Sequence, residues 1–146
     1  MARPNSQGAQ VQAKMAALQS KVNRAKNLAL QDYARGELQD IERRMTVAKT
    51  DPSARAWAPW AWSTRRQRIR EGTAGRGLLY KTGALLRSFR ATIKDGAVSI
   101  ASALNYANFL QRGRANMRPR VIVDLGSKLS RNRLLKSLSK HMKGLQ

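Results

Sequence analysis

The chain has 146 residues, 42% of them hydrophobic, which is enough for one ordinary globular core but not for two. It contains 29 Lys and Arg against 8 Asp and Glu, so the formal net charge is +21 at pH 7. It contains no cysteine, which excludes disulfides, thiolate metal sites and cysteine nucleophiles.

The excess of positive charge indicates an acidic partner, because confining so many like charges in one domain is unfavourable. Nucleic acid, an acidic protein surface and an anionic membrane are the candidate classes, and simple solubility is the alternative explanation. No apolar run approaches the roughly 20 residues that span a bilayer. The first ten residues also lack the apolar stretch of a signal peptide. We therefore expect a protein that is made and used in solution, without a membrane partner.

The N-terminal half predicts a short tail followed by a long helix. Residues 1–9 are polar and contain Gly and Pro, so we expect a flexible tail, with a single α+β domain over residues 10–146. Apolar residues then recur every three or four positions, as on one helix face: Val11, Met15, Leu18, Val22, Ala25 and Ala29. We expect this amphipathic helix to be bent or broken near Gly36 and to end before Asp51. A coiled coil is the alternative.

A tryptophan cluster and a basic segment follow the helix. All three tryptophans lie close together, at Trp57, Trp60 and Trp62. Five arginines come next, at Arg65, Arg66, Arg68, Arg70 and Arg76, interspersed with glycines. Because like charge and glycine both oppose packing, we expect residues 65–77 to form an exposed, mobile basic arm.

A β-hairpin is the firmest local prediction. Apolar and polar residues alternate on both sides of Asp95-Gly96, a dipeptide typical of two-residue hairpin turns. Such a turn places Ile93 opposite Val98 and Ala91 opposite Ile100. The apolar side chains then share one face of the hairpin.

The remaining elements complete an α+β pattern. We expect a short helix that begins near Tyr106 and ends at Gly113, and a short strand at 121–123. A C-terminal amphipathic helix carries Leu134, Leu135, Leu138 and Met142, with Ser130 as its N-cap. The predicted architecture has the long N-terminal helix and the C-terminal helix packed on a small antiparallel sheet.

Candidate catalytic groups are scarce. The only histidine, His141, lies near the end of a basic helix and has no companion ligands nearby in the sequence. The acidic residues Asp32, Glu37, Asp40 and Glu42 are better explained by ion pairs within the helix, such as Asp40 with Arg44, than by a magnesium site. We therefore predict no enzymatic activity, no metal and no cofactor.

Contacts by basic and aromatic side chains are the remaining chemistry. A second arginine set surrounds Gly113, at Arg112, Arg114, Arg118 and Arg120. Guanidinium groups suit phosphate, so both sets are candidates for DNA-backbone contacts, or for ion pairs with a neighbouring subunit. Aromatic side chains could stack on bases, but a core or interface role is more common. The candidate anchors are Trp57, Trp60, Trp62, Tyr106 and Phe109.

Several segments, taken together, resemble the phage virion morphogenesis (tail-completion) family of Mu-like tailed phages. They are Trp57-Ala58-Pro59-Trp60 with Thr64, the segment Leu78–Ser88 containing Thr82-Gly83, Asn105–Gly113, and Arg118-Pro119-Arg120. Leu110 stands where the family often has His, and Val121-Ile122-Val123 replaces its usual Pro-Phe-Leu.

The resemblance implies a structural protein of the head–tail junction, or neck, that completes the tail as a connector-ring subunit. A homo-oligomeric ring is implied, with six-fold symmetry favoured and twelve-fold possible. Its partners would be adjacent neck, connector and tail proteins and viral DNA. The protein would be assembled in the host cytoplasm and found in the virion. The alternative is a free, non-sequence-specific nucleic-acid-binding protein.

Overall fold

The computed structural model describes residues 6–79, 81–115 and 117–143. Five α-helices and one hairpin follow in chain order: α1 (Ser6–Arg43), a π-helical turn (Arg44–Ala48), α2 (Trp62–Arg70), α3 (Ala84–Ser88), β1 (Phe89–Lys94), β2 (Ala97–Ser102), α4 (Tyr106–Arg112) and α5 (Lys128–Met142). The predicted α+β class is confirmed. Of the predicted tail, residues 6–9 lie in α1, and residues 1–5 lie outside the described residues.

Helix α1 runs without interruption through Gly36, so it is not broken there. A bend near Gly36 stays a prediction. Gly36 instead allows α5 to approach closely. A Cβ added at this position would lie 2.9 Å from Cδ of Arg133. The helix continues into the π-helical turn, which ends at Lys49 in the left-handed conformation, before Asp51 as expected.

A buried polar network joins α5 to α1. The Tyr33 and Ser130 hydroxyl oxygens lie 2.7 Å apart, and the Ser130 hydroxyl donates to Glu37 Oε1 over 3.0 Å. Arg133 forms an ion pair with the same carboxylate. The Ser137 hydroxyl donates to the Ala29 carbonyl further along the interface. Helix α5 therefore packs along α1, and its predicted packing on the sheet is replaced by this interface.

Two other carboxylates of α1 also serve this interface. Asp32 contacts both Lys140 (3.0 Å) and His141 (2.8 Å), and these hydrogen bonds lower the pKa of Asp32 to about 2. Asp40 forms the predicted ion pair with Arg44 and a second one with Arg133. The prediction of ion pairs within the helix therefore holds for Asp40, whereas Asp32 and Glu37 pair with α5. Glu42 is exposed and makes no ion pair among the described residues.

The hairpin is confirmed in full. Ile93 is paired with Val98, and Ala91 with Ile100. Asp95 and Gly96 have φ values of 51° and 75°, as a turn with two left-handed residues requires. This two-stranded sheet packs against α1.

The hydrophobic core lies where the end of α1 meets the segments that follow it. Its buried members come from six different parts of the chain: Ile41, Met45, Trp57, Leu85, Phe89, Ala107 and Ile122. Gly77 also approaches the core closely, since a Cβ there would lie only 2.2 Å from the Met45 carbonyl oxygen.

The predicted strand at 121–123 is wrong, because side chains rather than another strand bind this backbone. Gln111 Oε1 accepts hydrogen bonds from the Ile122 and Val123 amides (2.7 and 3.2 Å), and Arg44 donates to the Ile122 carbonyl (3.0 Å). Trp57 Nε1 donates to the Val121 carbonyl (3.3 Å).

The helix boundaries on either side of this loop follow the sequence closely. Helix α4 ends at Gly113 as predicted, with a φ of 78°. The N-cap of α5 is Ser127 rather than Ser130, since Ser127 Oγ accepts from the Ser130 amide. Ser130 is therefore free to join the buried network through its hydroxyl.

Removing the Glu37 carboxylate should destabilise the subunit. Glu37→Ala removes the acceptor of the Ser130 hydroxyl and leaves Asp40 as the remaining carboxylate for Arg133. Removal of one partner from a buried ion pair costs about 3 kcal/mol. We expect the free energy of unfolding, measured by urea denaturation, to fall by about that amount. The control Glu42→Ala removes an exposed carboxylate from the same helix and should change stability by less than about 0.5 kcal/mol. Equal effects of the two substitutions would contradict this assignment.

Gln111→Leu should loosen the 121–123 loop. It deprives two backbone amides of their acceptor, and each buried group left unsatisfied costs about 1–3 kcal/mol. We expect a loss of about 2 kcal/mol and much faster hydrogen exchange at the Ile122 amide. Asn108→Leu, at an exposed position of the same helix, is the matched control. Unchanged exchange at Ile122 in the Gln111 variant would show that the hydrogen bonds to Gln111 do not hold the loop.

Candidate interaction surfaces

One open groove brings together four segments that are distant in sequence. It has a volume of about 870 Å³ and is lined by residues from 58–68, 78–85, 106–110 and 117–120. These include parts of each segment on which the family resemblance rests. We call this surface the central groove.

Apolar and basic side chains together line the central groove. Leucines and a methionine contribute apolar surface: Leu78, Leu79, Leu85, Leu110 and Met117. The charged residues that line it are all cationic: Arg68, Lys81, Arg118 and Arg120. Trp60 and Tyr106 add aromatic surface. The groove therefore offers both apolar contact and positive charge.

Arg120 ties two walls of the central groove together. Its guanidinium donates to the carbonyls of Ala58 (3.1 Å) and Pro59 (3.4 Å), which fixes the segment that carries the tryptophans. Burial lowers the pKa of Arg120. Its buried Nε has no hydrogen-bond partner among the described residues. Arg120 thus carries a desolvated charge without a compensating carboxylate.

Arg68 is the buried member of the predicted basic arm. Its guanidinium lies 4.4 Å from the centre of the Trp60 ring and donates weakly to the Gly77 carbonyl (3.4 Å). Burial also lowers its pKa. Residues 65–70 lie in α2, so the expectation that residues 65–77 do not pack is wrong at Arg68 and Gly77. The rest of the segment is largely exposed, as expected.

The other candidate arginines lie at the surface. Arg65, Arg66, Arg70, Arg76, Arg112, Arg114 and Arg118 are exposed. Arg66 stacks on Trp62 at 3.4 Å from the ring centre, and Arg114 stacks more loosely on Phe109 at 5.2 Å. Arg76 donates to the Lys81 carbonyl over 2.7 Å. The two predicted sets therefore consist mostly of free surface cations, with Arg68 and Arg120 as structural exceptions.

The five candidate anchors divide by burial. Trp57 lies in the core, and Trp60 is half-buried with its indole Nε1 donating to the Leu78 carbonyl over 2.9 Å. Trp62, Tyr106 and Phe109 are 67%, 45% and 47% exposed. The first two anchors therefore shape the fold, whereas the last three present aromatic surface to solvent.

The first turns of α1 form a second surface. Every residue from 7 to 21 is exposed, so this part of the helix extends about 20 Å beyond the body at 1.5 Å per residue. Val11, Met15 and Leu18 are 60%, 65% and 52% exposed on one side. The same stripe continues to Ala25 and Ala29, which are buried. We call residues 7–21 the projecting helix.

Neither surface carries a recognisable catalytic group. Among the described residues, no three His, Asp or Glu side chains lie close enough to hold a metal ion. His141 is paired with Asp32, and Asp124 Oδ1 accepts a hydrogen bond from the Gly126 amide in a turn. Within the same residues, no helix is long and apolar enough to cross a bilayer.

The central groove was not predictable as a unit, since its walls meet only through tertiary contacts. The apolar stripe on α1 was predicted from the sequence, but the sequence did not indicate that its N-terminal part is exposed to solvent. Gln111 gave no sequence signal beyond its place in the Asn105–Gly113 segment.

Comparison with known proteins assigns the family. Searches of curated proteins and of solved structures find no match to this chain. A sequence model of the phage virion morphogenesis family matches residues 7–138, nearly the whole chain and all the segments that line the central groove. The chain therefore belongs to the phage virion morphogenesis family and has a structural or assembly role in the phage virion.

Proposed function

We propose that the protein is a subunit of a ring at the head–tail junction, where it completes the tail and docks to neighbouring rings around the DNA channel. The ring is homo-oligomeric, with six-fold symmetry favoured over twelve-fold. The observation that carries this proposal is the projecting helix, which exposes an apolar stripe that α5 covers further along.

A second copy of the chain is the occupant that best fits the projecting helix. The stripe is continuous with the buried α1–α5 interface, so an apolar surface of the same kind extends beyond the subunit. Contacts between copies must be largely apolar, because most carboxylates already bind groups within the chain. The stripe supplies such contacts on a regular, pre-formed element.

Viral DNA is the polyanion that such a ring would surround. Each copy adds a formal charge of +21, and contact between copies cannot neutralise it. Two of the exposed arginines on and after α2, Arg65 and Arg76, line one pocket together with Trp62. They support contacts to the DNA backbone rather than readout of bases.

Removing the apolar stripe should abolish self-association. The triple variant Val11→Ser, Met15→Ser and Leu18→Ser removes about 1.5 kcal/mol of burial per side chain, or roughly tenfold in association for each. Light scattering of the purified protein and electron cryomicroscopy of particles provide the measurements. The control Gln12→Ser, Ala16→Ser and Gln19→Ser changes a different side of the same helix and should leave assembly intact.

An electron cryomicroscopy map of the tailed particle tests where this subunit lies. The proposal expects a closed ring of this subunit between head and tail, with the projecting helices at the contacts between copies. Density for the subunit elsewhere in the particle would overturn the proposal, as would contacts that leave the stripe uncovered.

The exposed arginines should set the salt dependence of DNA binding. The logarithm of the DNA association constant falls linearly with the logarithm of the salt concentration, with a slope of roughly −0.9 per phosphate contact. Replacing Arg65, Arg66, Arg70 and Arg76 by Ser should reduce the magnitude of this slope by up to about four. Replacing four exposed cations at the C-terminal helix by Ser, at Lys128, Arg131, Lys136 and Lys143, is the charge-matched control. Equal slopes for the two variants would show that α2 is not a specific contact surface.

A free nucleic-acid-binding protein is the second candidate function. The exposed Trp62–Arg66 stack favours it, since aromatic and cationic side chains together bind nucleic acid without sequence preference. A monomer that binds duplex DNA at physiological salt and is missing from the particle would favour this alternative.

A further inference from the structure

We propose that the central groove binds an acidic segment of another virion protein, anchored by apolar side chains. The occupant is a different polypeptide, neither a second copy of this chain nor DNA. This partner adds detail to the proposed function. The inference rests on the proposed function only in placing the partner at a neighbouring ring.

The cationic lining is the first reason. Four Arg and Lys side chains line the central groove, and no Asp or Glu lines it among the described residues. Only Lys81 has an ion-pair partner, Glu71 Oε2 at 2.7 Å. Arg118 is exposed and makes no ion pair within the described parts of the chain, so its guanidinium remains for an incoming anion. The Arg68 and Arg120 guanidinium groups also bind carbonyl oxygens of the subunit, and they add positive charge beside Arg118.

Arg120 shows that the lack of countercharge is unusual for this fold. Arg44 is likewise buried, and burial lowers its pKa, but the carboxylate of Asp40 opposes that shift. Desolvation acts on Arg120 without an opposing carboxylate. A partly buried charge is unfavourable unless an opposite charge pairs with it, so an anion supplied by a partner would compensate Arg120 as Asp40 compensates Arg44.

The apolar lining distinguishes a protein partner from DNA. Leu78, Leu79, Leu85, Leu110 and Met117 line the same groove as the cations. Phosphate and sugar would leave this surface without complementary contacts, whereas apolar side chains of a peptide would cover it. A groove that combines apolar surface with a few polar groups is typical of sites that bind extended segments.

The charge distribution of the chain excludes a second copy. Six of its eight carboxylates bind partners within the subunit: Asp32, Glu37, Asp40, Asp51, Glu71 and Asp124. The two that remain are Glu42 on α1 and Asp95 in the hairpin turn. Because these are isolated from each other in the sequence, the chain has no acidic segment to place in a neighbour's groove.

Photo-crosslinking from within the groove tests the inference. Tyr106, which lines the groove and is 45% exposed, is replaced by p-benzoylphenylalanine. Leu135, which is 63% exposed on α5, is replaced in the same way as the control position. Both variants are irradiated in infected cells and in purified particles, and the crosslinked peptide is identified by mass spectrometry.

The expected product joins position 106, but not position 135, to a different virion protein within a segment of net negative charge that contains apolar residues. Adding Arg118→Glu should reduce this crosslink at least tenfold, whereas Arg131→Glu, at an exposed site on α5, should leave it unchanged. Circular dichroism confirms that both variants remain folded.

Each other outcome contradicts the inference. A crosslink to a second copy, to DNA or to a basic segment overturns it, as does the lack of any product from position 106. The proposed function is tested separately, because it fails if the subunit is missing from purified particles. In that case the infected-cell sample still identifies the occupant of the groove.

Discussion

Carboxylates are the limiting partners in this subunit, and their positions organise both the fold and the surface. The chain has 8 of them for 29 Lys and Arg residues. Glu37, Asp40 and Asp32 all lie on α1 and bind cations of α5, so residues 32–40 of the long helix are fixed by charge as well as by packing. Because these acids are used internally, the outer surface is left mostly basic. The subunit is therefore complete as a fold but unbalanced in charge.

Around the core, side chains make the backbone hydrogen bonds that a neighbouring strand would make in a larger sheet. Gln111, Arg44, Trp57 and Arg120 each bind backbone carbonyls or amides in loops. A hairpin of two strands provides few ladder hydrogen bonds, so a small α+β domain needs other partners for its buried backbone. Three of these side chains hold the 121–123 loop, and Arg120 holds the segment of the central groove that contains Ala58 and Pro59. Their roles are set by tertiary structure.

Features that depend on neighbouring residues in the sequence could be predicted, whereas features that depend on tertiary contacts could not. The hairpin was predictable to the register because Asp95-Gly96 and the alternating residues act locally. The conformation of residues 121–123 was not predictable from the sequence. Their apolar side chains indicate burial, but their backbone hydrogen bonds are made with Gln111 and Arg44 rather than with another strand. Gly36 was misread for a similar reason, since its role is to admit Arg133 from a helix about a hundred residues later. Ser130 is of a residue type that favours the N-cap position, but Ser127, three residues earlier, is the N-cap of α5.

The unbroken course of α1 has a mechanical consequence. One rigid rod connects the projecting helix to Arg44, and Arg44 binds the Ile122 carbonyl beside Arg120 and the groove wall. In the proposed ring, a contact that tilts the free end of this helix would also move its inner end, which binds the 121–123 loop through Arg44.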